Sequence, residues 1–288
     1  MARRSVSISF AVRVLIFSLV YDAIQLIYGY IATQQASVLW AVSDFVAGIF
    51  LGVVLALIFS RLPFRRTICV GVAWLALFIV QEFSNLVEAY FFTTYVQTIY
   101  LFIAATFNSL VITLIEALLV GLLFTPQKAD RSFVQEFNAY MQRRSSRSWI
   151  LRVIAGAVVY FPVYFFFGAL ISPFVLPYYE NSGMGLRIPS FAVMVPLELI
   201  RGLLYVLALL PIVTLLRVER KYVFVALASF LYIAGAFVSF LSGPGFPVPL
   251  RVFHGLEILA DSLVYGAALA YLFAFRSDLT HRNSYSNR

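Results

Sequence analysis

Charge, cysteine and histidine are all scarce in this 288-residue chain, and each shortage excludes something. Charged residues make up 12%, about half the share of an ordinary soluble domain. The single cysteine, Cys69, excludes an intrachain disulfide and any cysteine-based metal site. Histidine occurs only at 254 and 281, and His281 falls in the tail, so a multi-histidine metal centre is excluded as well. There is no Gly-rich phosphate loop with its lysine, no nucleophile elbow and no zinc-protease helix signature. The residues name no cofactor, and a metal ion has only carboxylates and one histidine to bind.

What the chain does have is apolar length. Hydrophobic residues account for 62% of it and the mean hydropathy is +0.92, a membrane composition. A spanning helix needs about 20 mainly apolar residues. Eight segments qualify: 8–31, 38–60, 67–91, 99–124, 150–172, 190–216, 222–242 and 252–274. The expected fold is therefore an all-α polytopic integral membrane protein with eight transmembrane helices. The first apolar segment carries Asp22 and lacks a small-residue cleavage site, so it reads as the first span rather than a signal peptide.

The net charge of +8 does not point to nucleic acid, because the basic residues alternate by side. Arg3, Arg4 and Arg13, the 61–66 loop, the 125–149 loop with Arg152, the 217–221 loop and the tail fall together. The opposite side holds only Arg187 and Arg251, and Arg201 lies within a span. The positive-inside rule then places both termini in the cytoplasm, with the plasma membrane as the expected location and the lipid bilayer as the first partner.

The layout divides into a four-helix unit at 1–124, a basic connector at 125–149, a second four-helix unit at 150–275 and a polar tail at 276–288. Within the connector, Phe133, Val134, Phe137, Tyr140 and Met141 recur at helical spacing before Arg143, Arg144 and Arg147, the pattern of a helix on the membrane surface. The two units share spacings. Arg13, Tyr21 and Gly29 match Arg152, Tyr160 and Gly168. Asp44 precedes Gly48 as Glu198 precedes Gly202, and Glu116 precedes Gly121 as Asp261 precedes Gly266. This predicts parallel tandem repeats that bring Asp44 opposite Glu198, and Glu116 opposite Asp261.

Eight of the thirteen acidic residues fall inside spans: Asp22, Asp44, Glu82, Glu88, Glu116, Glu198, Glu257 and Asp261. A carboxylate in hydrocarbon costs several kcal/mol unless it pairs or lines a wet cavity, so each is a candidate site residue. The expected substrate site combines Asp44, Glu82, Glu198, Arg201, Glu257 and Asp261. His254, Glu257 and Asp261 share one helical face and form a candidate proton relay or ion site. Asp22, Gln25, Asn85, Glu88, Asn108 and Glu116 complete a polar wall, with Asn85 and Asn108 read as interhelical hydrogen-bonding residues. Pro196 and Pro211 predict a kinked or broken sixth span.

The function expected from these residues is a permease for a small cationic, amine-bearing or zwitterionic solute, with proton coupling and a carboxylate cluster open to the outer side. Two other readings stand beside it. One is a non-catalytic membrane partner or assembly subunit, including a homo-oligomer. The other is a membrane-embedded enzyme acting on a lipid-linked substrate. ELIRG at 198–202 is one residue short of the EExxxR spacing of CAAX-type membrane proteases, and one intramembrane histidine stands where that family needs two.

Overall fold

The computed structural model describes residues 9–33, 37–126, 131–180, 182–216, 218–242 and 246–275. Residues 276–288, read above as a polar tail, lie outside the described residues, as do Arg3, Arg4, Lys128 and Arg217. The described chain is all-α. Eight helices are long and apolar enough to cross a membrane: Phe10–Tyr30, Val38–Phe59, Arg66–Phe92, Ile99–Leu123, Ser146–Glu180, Phe191–Leu215, Arg220–Leu241 and Val248–Phe273. They are numbered below as the first to eighth spans. The protein is an integral membrane protein.

Neighbours in sequence are not always neighbours in space. The first span packs along the second and the third along the fourth; the fifth packs along the sixth and the eighth, and the seventh along the eighth. The two groups meet where the second span faces the seventh and the third faces the sixth. The first, fourth and fifth spans are peripheral and carry large apolar side chains that the protein leaves uncovered, such as Leu19, Phe107 and Phe166. In a bilayer these face acyl chains, which cost them nothing. The core between the central spans is built from residues such as Phe17, Leu51, Leu55, Phe59, Leu77, Phe230 and Leu269.

Close helix approach depends on small residues. A Cβ at Gly202 would lie 2.3 Å from the Ala157 carbonyl oxygen and 2.8 Å from Tyr160 Cβ. The fifth and sixth spans therefore touch backbone to backbone there, as small residues allow in membranes.

Two spans contain a π-helical turn: Phe78–Phe83 in the third and Ile233–Phe237 in the seventh. The wider turn shifts the helical face and leaves carbonyls in need of donors. Asn85 supplies one amide to both, donating to Gln81 O at 2.8 Å and to Gly235 O at 2.9 Å. It ties the two π turns together across the centre of the bundle.

The arginines at the helix ends cap C-terminal carbonyls, where a cation also meets the negative end of the helix dipole. Arg13 donates to Leu123 O, Arg144 and Arg152 to Leu272 O, and Arg220 to Ala274 O. At the other end Arg187 holds the carbonyls of Tyr90 and Phe91, and Arg251 holds that of Phe240. The connector contains the expected helix, Phe133–Met141. It docks on the bundle through Tyr140, whose hydroxyl donates to Phe273 O at 2.7 Å and whose ring lies against Trp149 and Phe275. Burial pushes the Tyr140 hydroxyl up to about 12, with Arg144, Arg143 and Arg152 pulling the other way.

Proline does not break the spans that carry it. The fifth span, expected at 150–172, is longer: it runs as one helix from Ser146 to Glu180 through Pro162, Pro173 and Pro177. Pro173 cannot donate to the Ala169 carbonyl, and Ser172 Oγ does so instead at 2.8 Å, the side-chain substitution that membrane helices use. The helix stops at a 3₁₀ turn, Ser182–Met184, and Gly185 at φ +63°. The sixth span also runs unbroken through Pro196 and Pro211.

The Gly202 contact is testable. Gly202→Val should prevent folding, seen as loss of a monodisperse peak in detergent, because the clash is with backbone. Gly71→Val, where nothing lies within 4 Å of the added carbon, should leave the peak unchanged.

Candidate functional site

The eight intramembrane carboxylates do not converge on one place. Arg201 organises the first group. Its Nη1 donates to both oxygens of Glu198, at 3.1 and 2.9 Å, and its Nη2 donates to Glu88 Oε2 at 2.9 Å and to Tyr205 Oη at 3.3 Å. Glu198 and Arg201 sit one turn apart on the sixth span, and Glu88 reaches in from the third. The guanidinium also lies over the rings of Tyr160, Tyr164 and Tyr205, 5.7–6.0 Å from their centroids. Arg201 is 4% exposed and Glu198 is fully buried. A planar fork suits such a site because it satisfies two carboxylates at once.

In front of Arg201 lies a chamber of about 60 Å³, room for only a few water-sized groups. Glu88, Glu257 and Asp261 face it, with His254 at one side and a wall of tyrosines: Tyr160, Tyr164, Tyr179, Tyr205 and Tyr265. His254 Nδ1 lies 2.7 Å from Glu257 Oε2, and Tyr179 Oη lies 3.3 Å from His254 Nε2. Tyr265 is held by its hydroxyl, which donates to Gly202 O at 3.0 Å. Asp261 is 4% exposed, and its Oδ1 has no hydrogen-bond partner among the described residues; the same holds for Arg201 Nε. Both atoms are buried polar groups for which a partner is worth several kcal/mol.

A second cavity of about 210 Å³ continues from the chamber to the end of the bundle that carries Arg187 and Arg251. The two share Asn85, Glu88, Tyr179, Gly235, His254 and Ile258. The wider one is lined toward its mouth by Phe92, Thr93, Leu186 and Phe246. It is a vestibule leading to the charged chamber.

Of the residues grouped from the sequence, the structure brings Glu198, Arg201, His254, Glu257 and Asp261 together, and adds Glu88 and Asn85 from the polar wall. No residue of the first, second or fourth span lines the chamber. Asp44, Glu82 and Glu116 belong to a separate group in the other half of the bundle. There Gln81 Nε2 donates to Glu82 Oε1 at 3.3 Å and to both oxygens of Glu116 at 3.2–3.3 Å, and Ser109 Oγ donates to Glu82 Oε2 at 3.0 Å. Tyr21 lies within electrostatic reach of Glu116, Glu82 and Asp44. Asp22 and Gln25 lie on the first span, away from the chamber, and Asn108 is exposed on the fourth. Its neighbour Ser109 makes the contact expected of Asn108.

Glu82 and Glu88 part because six residues of helix turn them about 120° from one another. A regular helix carries Gln81, Asn85 and Glu88 along one stripe. The π turn at Phe78–Phe83 ends just past Glu82, which points to the fourth span while Glu88 reaches the sixth. The tyrosine wall was the feature the sequence reading missed, yet it has a signal. Tyr205 stands four residues after Arg201, Tyr265 four after Asp261, and Tyr164 four after Tyr160, so each shares a face with a site residue.

The two groups should respond oppositely to neutralisation. Arg201→Ala leaves Glu88 and Glu198 without their counter-charge and should cost about 3–5 kcal/mol. Glu116→Gln keeps the shape and removes a like charge beside Glu82, which has no basic partner among the described residues, so it should be neutral or stabilising. Thermal midpoints of the two purified variants check both. No protein-family model matches this chain, and no curated protein or solved structure is detectably similar to it, so its role is read from the chamber itself.

Proposed function

We propose that the protein is a membrane transporter for a small cationic, amine-bearing or zwitterionic solute, and that the Arg201 chamber is its binding site. The observation that carries this reading is Asp261. Its carboxylate is buried at a cavity wall with an unpartnered oxygen, in a group where Glu88, Glu198 and Glu257 already outnumber the one guanidinium. An ammonium group supplies both the missing charge and the missing donors. The tyrosine faces add cation–π attraction, about 0.5–2 kcal/mol per contact. Arg201 Nε leaves room for an acceptor, which suits a zwitterion.

By the positive-inside rule the Arg187 end faces outward, so the vestibule is the outer entrance. His254, bonded to Glu257 and lining both vestibule and chamber, is the group through which a proton exchanges with the carboxylates. Binding of a cationic substrate then competes with protonation, which couples the two.

The same reading includes a tandem duplication, supported by paired contacts. Arg13 caps the fourth span as Arg152 caps the eighth. Gly48 packs on Ser18 and Tyr21 as Gly202 packs on Ala157 and Tyr160, residues in the same spacing. The third and seventh spans each hold a π turn. Ala47 stands three residues after Asp44 where Arg201 stands three after Glu198, so only the second half acquired the cation that organises a chamber.

Uptake of radiolabelled amines and amino acids into vesicles containing the purified protein tests the site. Asp261→Asn and Glu198→Gln should each lower uptake at least tenfold while the protein stays monodisperse, and Glu116→Gln should retain most of it. Full uptake by both chamber variants would overturn the assignment.

A further inference from the structure

Three cavities meet at one hydrogen-bonded pair. Tyr179 and His254 line the chamber, the vestibule and a third cavity of about 280 Å³ on the flank of the fifth span. The third is apolar for most of its length. Phe165, Leu176 and Ile188 are exposed along it, with Ala169 and Ser172 as its small residues. Phe165, Ala169, Ser172 and Leu176 lie along the fifth span, whose outer surface is uncovered, and Ile188 follows it in the loop, so the groove opens to the hydrocarbon of the bilayer. Its inner end is charged: Glu257 and His254 lie there, Glu257 being only 6% exposed.

Gly168 is what leaves that end open. A Cβ at this position would come within 3.0 Å of Glu257 Oε1, so any side chain would stand between the carboxylate and the groove. A greasy channel from the bilayer thus ends on an acidic group that also faces the chamber. A purely aqueous substrate has no use for such a groove, and an ordinary lipid tail has no use for its charged end.

We propose that the groove is a lateral portal, and that the substrate is a single-chain amphiphile with an amine head. The head sits in the chamber against Glu257 and Asp261, and the chain lies along the fifth span. Size supports the division. The chamber admits an ammonium-sized group and little more, while the groove has more than four times its volume. Charge supports the head: Glu88, Glu257 and Asp261 face the chamber, and Arg201 is already engaged by Glu198 and Glu88. Measured against free amine in water, each methylene buried in the groove tightens binding of a longer chain, while the charged chamber selects the head. The Tyr179–His254 contact, 3.3 Å long, stands where groove and chamber join and has to part for the head to pass. This inference rests on the chamber being an amine site, and it names the substrate class for that site.

The test uses the whole protein in phosphatidylcholine nanodiscs, with binding of dodecylamine, butylamine and dodecanol measured against empty discs. Dodecylamine should bind at least tenfold tighter than butylamine, and dodecanol should not compete with it. Ala169→Trp fills the groove from an exposed position, so the fold tolerates it. It should abolish the chain-length gain and leave butylamine binding unchanged. Asp261→Asn should weaken both amines. Equal binding of the two amines, or a gain that survives Ala169→Trp, would overturn the portal and leave the chamber reading intact. Dodecanol binding as tightly as dodecylamine would overturn the amphiphile assignment, since the head would then go unread. Failure of both amines to bind would overturn the chamber reading together with the portal.

Discussion

The second half of this protein is arranged around one buried guanidinium. Arg201 sits where an isolated charge would be prohibitive, and it is tolerable because Glu198 and Glu88 each meet one of its terminal nitrogens. That requirement ties the third span to the sixth. It draws Tyr160, Tyr164 and Tyr205 around the charge and demands the backbone-close contact at Gly202 that brings the fifth span alongside. The carboxylates that remain, Glu257 and Asp261 on the eighth span, are the surplus that makes the chamber acidic. Geometry thus divides the carboxylates: Glu88 and Glu198 pair with Arg201, and Glu257 and Asp261 do not.

The two π turns serve the same end. On the third span Glu82 meets the fourth span and Glu88 the sixth, with Asn85 between them on the helix surface. Asn85 satisfies the carbonyls that the turns leave open at Gln81 and Gly235. Local irregularity in a helix is costly in hydrocarbon unless its backbone groups find partners. Here the partner is a side chain that also lines the chamber and its vestibule.

The helix ends follow a single rule. Arginines on both sides of the bundle donate to the last carbonyls of a neighbouring span and so close its helices. The connector helix uses the same site. Tyr140 and Arg144 reach the carbonyls of Phe273 and Leu272, next to Arg152. Burial and the neighbouring Arg152 push the Arg144 guanidinium below its ordinary value, the mark of cations crowded onto one helix terminus.

Composition and periodicity alone determined that this is an eight-span helical membrane protein, because hydrocarbon allows a long apolar segment little choice but a helix. They also marked the chamber's charged members, since ionisable residues stand out against an apolar background; Glu198, Arg201, His254, Glu257 and Asp261 were visible in that way. Tertiary structure decided which of the charges meet. Asp44, Glu82 and Glu116 carry the same chemistry as Glu257 and Asp261, and only packing sends them to a different group. It also sends Glu88 to the sixth span and Glu82 to the fourth, a choice of partners for two faces of one helix. The tyrosine wall and the groove beside Gly168 arise from surfaces contributed by several spans. One-dimensional spacing reports the face a residue takes on its own helix, and it says nothing of which other helix that face will meet.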